Sequence, residues 1–400
     1  MGKEGIQNLG IQGIDHVDFV VRDLERSRAF YEGKMDFALT ARSGPQYEEA
    51  TGERSLVFDA AKVRVQVTSP TAKESPAGRF LRNHPDGVRT VTFRVSDLGH
   101  AWKTLEARGA NFVEEPAGKL GHRSFAIASP LGDVQYVFLE KGVGDGPGGV
   151  DPRLTPVVRT GAEKTGGNRH RFTHLDHITS NTLDMRNLSA WYRDVLGFEH
   201  FWDIRFHTRD SKPDQGGAGG PGGSGLNSIV MWDPSSNVKF ATNEPLRPNF
   251  YNSQIAKFCD DNKGPGVQHI AFATGHIMDV IPQMRTAGLK FLETPDAYYA
   301  MLPKRLAERG VENLKEEIED LRKRRILVDG RDNRYLLQIF MQEAALLYNE
   351  AAAGPFFYEV IQRHGDQGFG EGNFRALFES IERQQTGETQ RTVNNPYLMD

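Results

Sequence analysis

Short runs of alternating apolar and polar residues occur along most of the chain, and some are followed by stretches with helical spacing. Ile14 to Phe37, IDHVDFVVRDLERSRAFYEGKMDF, reads as a strand, an aspartate that can cap a helix, and an amphipathic helix ending near an aromatic. Leu175 to Phe198, LDHITSNTLDMRNLSAWYRDVLGF, lies over it without a gap. Asp15, His16, Asp23, Ala29, Tyr31 and Phe37 fall on Asp176, His177, Asp184, Ala190, Tyr192 and Phe198. Two further stretches begin alike, GVRTVTFRV from Gly87 and GVQHIAFAT from Gly266, with Thr90 over His269 and a helix following each. Between the helices lie β-like runs: SLVFDA, VRVQVTS, HRSFAIAS, VQYVFLE, SIVMWD, NVKFAT, YLLQIF and FYEVIQR.

The unit is β-α-β-β-β, present four times, two per half. It predicts an α+β fold of two domains, each of two βαβββ modules forming an open curved-sheet barrel around a pocket. The polar, Gly/Pro-rich stretch from Val143 to Arg171 reads as the linker, dividing the chain into domains 1–155 and 156–400. A second such stretch, 212–225, reads as a loop insertion; it lacks the Lys-Ser/Thr of a phosphate-binding loop.

Bulk properties narrow the function. A net charge of −4 over 400 residues leaves no footprint for nucleic acid or an anionic membrane. No apolar run is long enough to span a bilayer. The single cysteine, Cys259, excludes an internal disulfide and fits a reducing cytoplasm.

The third strand position of the four modules holds, in order, His16, Thr90, His177 and His269. His177 and His269 are mirror positions of one barrel and should face the same interior spot. Glu359 interrupts the apolar final strand FYEVIQR, where a carboxylate needs a cation. Two imidazoles and one carboxylate with open positions suit a non-haem Fe(II) oxygenase. A lone strand histidine is more often a hydrogen-bonded core residue, but here two equivalent histidines and a buried-face carboxylate coincide. The first half has His16 and Thr90, with Tyr136 or Glu140 near the Glu359 position. It should be metal-free and structural, with His16 a relic. Gln338 sits among residues apolar on both faces, so its amide needs a partner. Gln268 and His269 are adjacent, so either a bulge turns both inward or Gln268 acts from behind.

At these residues the chain resembles the vicinal oxygen chelate superfamily, and its second half the 4-hydroxyphenylpyruvate dioxygenase family. The resemblance rests on LDHITSN, GLNSIV, TNEP, SQI, GPGVQHIAF, ILVDGRDNRYLLQIF, FYEVIQR and GFGEGNFRALFESIE. IDHVDFVV, FYEGKM and DGVRTVTFRV match more loosely in the first half. It implies Fe(II) held by His177, His269 and Glu359. It implies substrate contacts from Ser228, Asn243, Gln254, Gln268, Gln338, Phe340, Phe357, Phe369 and Phe374, and no catalytic group beyond the iron and its ligands. The implied reaction converts 4-hydroxyphenylpyruvate and O2 to homogentisate and CO2 in tyrosine and phenylalanine catabolism. The implied partners are the aromatic α-keto acid, O2 and further copies of the chain, as a cytoplasmic dimer or tetramer. Phe357 is expected to stack on the substrate ring. Phe374, Leu377, Phe378 and Ile381 share a helical face, which reads as a lid helix capped by Asn373.

Three features depart from the family pattern: Ala241 where proline is usual, the 212–225 insertion, and the long MQEAALLYNEAAAG connection. The nearest rival is 4-hydroxymandelate synthase, which tends to be apolar at Asn243. An extradiol ring-cleaving dioxygenase would not need the Gln254, Gln268 and Gln338 amides. A metal-independent small-molecule binding protein on the same fold would not need the triad.

Overall fold

The computed structural model describes residues 8–114, 123–140, 153–158, 166–207, 225–247, 250–370 and 372–373. Phe374, the expected lid helix and the 212–224 part of the insertion lie outside the described residues. The first half forms β1 (Ile11–Val20), β2 (Ala38–Arg42), β3 (Glu53–Ala60), β4 (Val63–Pro70), β5 (Gly87–Val95), β6 (Phe112–Glu114), β7 (Arg123–Ala128), β8 (Gln135–Glu140) and the short β9 (Thr155–Pro156). The second forms β10 (Phe172–Asn181), β11 (Glu199–His207), β12 (Gly225–Asp233), β13 (Val238–Pro245), β14 (Gly266–Thr274), β15 (Leu327–Arg331), β16 (Arg334–Phe340) and β17 (Phe357–His364).

The strand orders are β6-β7-β8-β5-β1-β4-β3-β2-β9 and β11-β12-β13-β10-β14-β17-β16-β15. Apart from β9, each sheet is the same pair of βαβββ modules joined through their first strands. Besides β9, the strands absent from the apolar runs read above are β2, β6, β11 and β15. They are short or carry charges, as in ALTAR and LVDGR, and their pairing comes from neighbours rather than from their own pattern. In the first module Asp23 caps the following helix through the Arg26 N–H, as its residue type predicts. Both repeat helices end in π-helical turns, Ala29–Lys34 and Tyr192–Leu196.

Those turns carry the join between the halves. Tyr31 hydrogen-bonds Tyr358 of β17, and Tyr192 hydrogen-bonds Tyr136 of β8 at 2.7 Å. The helix of each half is thus tied to the last strand of the other, in two pseudo-equivalent pairs. Aromatic contacts such as Phe37–Phe272 and Phe93–Phe240, both 5.9 Å between centroids, make one core continuous across the halves. The long 341–354 connection serves the same join. It folds into helix Ala344–Tyr348 and a 3-10 turn Ala351–Ala353 against the first half, where Ala352 O accepts from Asp86 N. Gly354 makes the approach possible, since a Cβ there would meet Asp86 O at 2.0 Å.

The strand register corrects one expectation. Ala271 of β14 lies between His177 and Glu359, and the corresponding rung of the first sheet is His16–Thr92–Val137. Val137, not Tyr136 or Glu140, therefore holds the Glu359 position. Tyr136 lies one residue off the rung and reaches Tyr192, while Glu140 accepts from Leu98 N at 2.7 Å.

Tyr192→Phe leaves the Tyr136 hydroxyl buried without its partner and should destabilise the fold by about 1–2 kcal/mol in urea unfolding. Combining it with Tyr136→Phe should cost less than the sum of the single changes.

Candidate metal centre

His177, His269 and Glu359 come from three adjacent strands, β10, β14 and β17. His177 and Glu359 flank Ala271 on one rung, and His269 lies two residues along the same strand face. The methyl of Ala271 leaves room between them. Glu359 Oε2 is 3.3 Å from His177 Nε2 and 3.4 Å from His269 Nε2. Ligands bound 2.0–2.2 Å from one ion at right angles stand about 3 Å apart, so this spacing needs little adjustment to hold a metal. Glu359 is 2 % exposed and its Oε1 has no partner. Among the described residues these three side chains form the metal-competent cluster. In the first half the same rung is closed, because the Thr92 hydroxyl engages His16 Nε2 at 3.2 Å and Asp15 takes its Nδ1 at 3.0 Å.

Two β-bulges orient the imidazoles. The pairing of β10 with β14 skips Asp176, between Leu175 and His177, and skips Gln268 opposite the Thr179–Ser180 step. Each skipped residue reaches the Nδ1 of the histidine after it: Asp176 Oδ1 at 2.8 Å from His177 and Gln268 Oε1 at 3.1 Å from His269. Both alternatives for Gln268 hold together, a bulge and a position behind the ligand. These contacts leave each Nε2 for the metal.

Burial works to raise the Asp176 carboxyl, but Arg363 and His177 outweigh it and hold it well below the ordinary range. Burial lowers His177, yet the Glu359 and Asp176 carboxylates leave it raised; at His269 burial wins and the pKa falls. Burial also opposes ionisation of Glu359, and the two imidazoles overcome it.

Arg363 links this support to the chain that closes over the site. It grips Asp176 with two bonds of 2.7 and 2.6 Å and donates to the carbonyls of Asp366 and Gly368. Lys239 reaches the same segment through Gln367, and burial brings its ammonium down to about 8. The segment sets the Phe369 ring 4.7 Å from the His177 ring and beside Trp202. Gly370 then passes so close to Gln338 that a Cβ would lie 2.7 Å from its Nε2.

Ser228, Asn243, Gln254, Phe340 and Phe357 are buried in this half. Ser228 Oγ, Asn243 Oδ1 and both side-chain polar atoms of Gln254 have no partner. Ser228 and Asn243 are paired across β12 and β13. Phe340 meets His269 edge-on at 5.8 Å, and Phe357 stacks on the same imidazole at 5.0 Å. Asn373 Oδ1 accepts from Tyr298 at 2.6 Å. Sequence reasoning missed Asp176, Arg363 and Asn181 in these roles. Asp176 carried a signal, since both repeats place an aspartate before the histidine; Asn181 lies beside Asn243 and accepts from it at 3.0 Å, which only strand pairing reveals.

This arrangement, two imidazoles and a carboxylate on a paired βαβββ barrel, defines a class that the comparisons also identify. The model of the Glyoxalase/Bleomycin resistance protein/Dioxygenase superfamily matches residues 13–133 and 174–301. The chain is 33 % identical over 388 residues to 4-hydroxyphenylpyruvate dioxygenase of Dictyostelium discoideum, covering 94 % of this chain and 98 % of that one. It is 34 % identical over 401 residues to the Danio rerio enzyme of the same name, covering 94 % and 92 %. A solved mutant of 4-hydroxymandelate synthase from Streptomyces coelicolor shares the fold, with a TM-score of 0.74 at 24 % identity over 94 % of this chain and 99 % of that one. The chain belongs to the 4-hydroxyphenylpyruvate dioxygenase family.

Arg363→Met strands the Asp176 carboxylate and should lower metal affinity about 10–100-fold, measured by competition with a chelating dye. Between pH 8 and the ordinary lysine value of 10.5, unfolded chain binds a proton that folded Lys239 lacks, so this group's contribution to stability rises with pH. Urea titrations of Lys239→Met across that window should lack this rise.

Proposed function

We propose that this chain is a non-haem Fe(II) dioxygenase that converts 4-hydroxyphenylpyruvate and O2 to homogentisate and CO2. The observation that carries the reading is the buried Glu359 carboxylate, with Oε2 beside two Nε2 atoms and Oε1 partnerless, in a chain of this family. His177, His269 and Glu359 would hold the iron. Bound there, Fe(II) supplies a Lewis-acidic anchor for an α-keto acid and electrons for dioxygen. The rest falls to the chain's own side chains. One carboxylate ligand leaves a dication with a single positive charge, which a monoanionic keto acid neutralises in the buried site. Ser228, Asn243 and Gln254 offer the substrate hydrogen bonds that nothing else in the protein takes. Phe340, Phe357 and Phe369 line the ligands with apolar rings that keep water out. Asp176 and Gln268 hold the two imidazoles in the orientation that turns Nε2 inward.

In this reading residues 156–400 carry the chemistry, and residues 1–155 brace them without a metal of their own. The reaction belongs to tyrosine breakdown, in the cytoplasm and in a homo-oligomer, as the family resemblance implies.

Anaerobic loading with Fe(II), followed by 4-hydroxyphenylpyruvate and O2, should yield homogentisate by mass and NMR. 4-Hydroxymandelate instead would make the chain a benzylic hydroxylase, and no oxygen uptake with iron bound would overturn both readings. Glu359→Gln should lose more than about 100-fold in iron affinity, beyond the loss caused by a residue behind a ligand.

A further inference from the structure

Lys239, near the start of β13, is only 2 % exposed. It stands one residue before the Ile178–Phe240 pair, where β10 carries His177, so it borders the metal rung on the side away from Ala271. The first half keeps a cation at the same place: Arg64 stands one residue before the Val17–Val65 pair, beside His16. There the charge is neutralised, because Arg64 donates to Asp59 at 2.7 and 2.9 Å and Asp15 lies 3.7 Å away. Neither carboxylate serves Lys239. Trp232 replaces Asp59 on the facing strand, and Asp176, the counterpart of Asp15, is taken by Arg363. Among the described residues the Lys239 ammonium forms no ion pair. Burying an ammonium without a counter-ion is costly, and an apolar side chain of similar volume would fill the place without that cost.

What the ammonium holds instead is main chain. It donates to Gln367 O and Oε1, both at 3.2 Å, and lies 5.0 Å over the Phe201 ring. Arg363 donates to the carbonyls on either side, Asp366 O at 3.1 Å and Gly368 O at 2.7 Å. Three consecutive carbonyls thus face two cations, and Phe369 comes next. Its ring lies 4.7 Å from His177 and stacks on Trp202 at 6.3 Å. Residues 366–370 belong to no helix or strand, so contacts of this kind set their path.

We propose that Lys239 is a positioning residue of the metal centre, acting through the 366–368 carbonyls to keep Phe369 against His177. Its partners separate its role from that of Arg363. Arg363 supports both Asp176 and the segment, whereas Lys239 supports the segment alone. Loss of Lys239 therefore loosens the cover over the site and leaves the ligands in place. The part of the inference that concerns turnover rests on the reaction proposed above.

The test compares Lys239→Met and Lys239→Arg with the parent chain by hydrogen exchange, iron-loaded and free of substrate. Methionine removes the donors and keeps the bulk, so the Tm should be no lower. Exchange in 366–370 should accelerate about tenfold, while that of Gly372, whose N–H Asp329 accepts at 2.8 Å, should not change. Lys239→Arg, with the residue type of the counterpart position, should restore slow exchange. Turnover should divide in the same way: Lys239→Met lowers kcat about tenfold with iron affinity unchanged, whereas Arg363→Met loses iron affinity. Unchanged exchange in 366–370 would overturn the proposal. So would acceleration shared by Gly372 and β13, or a full kcat once the segment is loosened. Absence of turnover in the parent chain would count against the proposed reaction, and the exchange result would still decide the role of Lys239.

Discussion

Glu359 is buried at the centre of the second sheet, one oxygen shared between two imidazoles and the other partnerless. A carboxylate in that position is tolerable only against positive charge. Two histidines supply part of it, and a metal ion would supply the rest. The surrounding structure answers the same constraint. Asp176 and Gln268 fix the imidazoles from behind, and Arg363 balances Asp176. Ala271 keeps the middle of the rung open.

Arg363 gives this electrostatics a mechanical consequence. One guanidinium holds both the carboxylate behind His177 and the carbonyls of the segment that carries Phe369 onto that histidine. Ligand orientation and closure over the site are thereby joined in one side chain. Gly370 beside Gln338 shows how tightly the segment passes over the strands.

The repeat explains why one half can be reactive and the other not. Both sheets have the same strand order, the same aspartate bulge before the histidine, and the same tyrosine pairing across the join. They differ at a few inward positions. Threonine and valine replace a histidine and the glutamate, and the Thr92 hydroxyl closes the histidine that remains.

The sequence by itself determined the four βαβββ modules, the identity of the three converging side chains and the family. Alternation and repeat equivalence are local properties, written wherever a strand has one buried face, and equivalent positions in a symmetric barrel must face the same interior. The first half's counterpart of Glu359 was not legible, because a one-residue choice of register separates Val137 from Tyr136 and only strand pairing decides it. Asn181 beside Asn243, and Arg363 behind Asp176, were hidden for the same reason. The last pair lies 187 residues apart in the chain, and no local pattern marks a partner at that distance. Tertiary structure also decided that Phe357 packs on His269, and that the long connection after Phe340 braces the first half, since both depend on which surfaces the fold brings together.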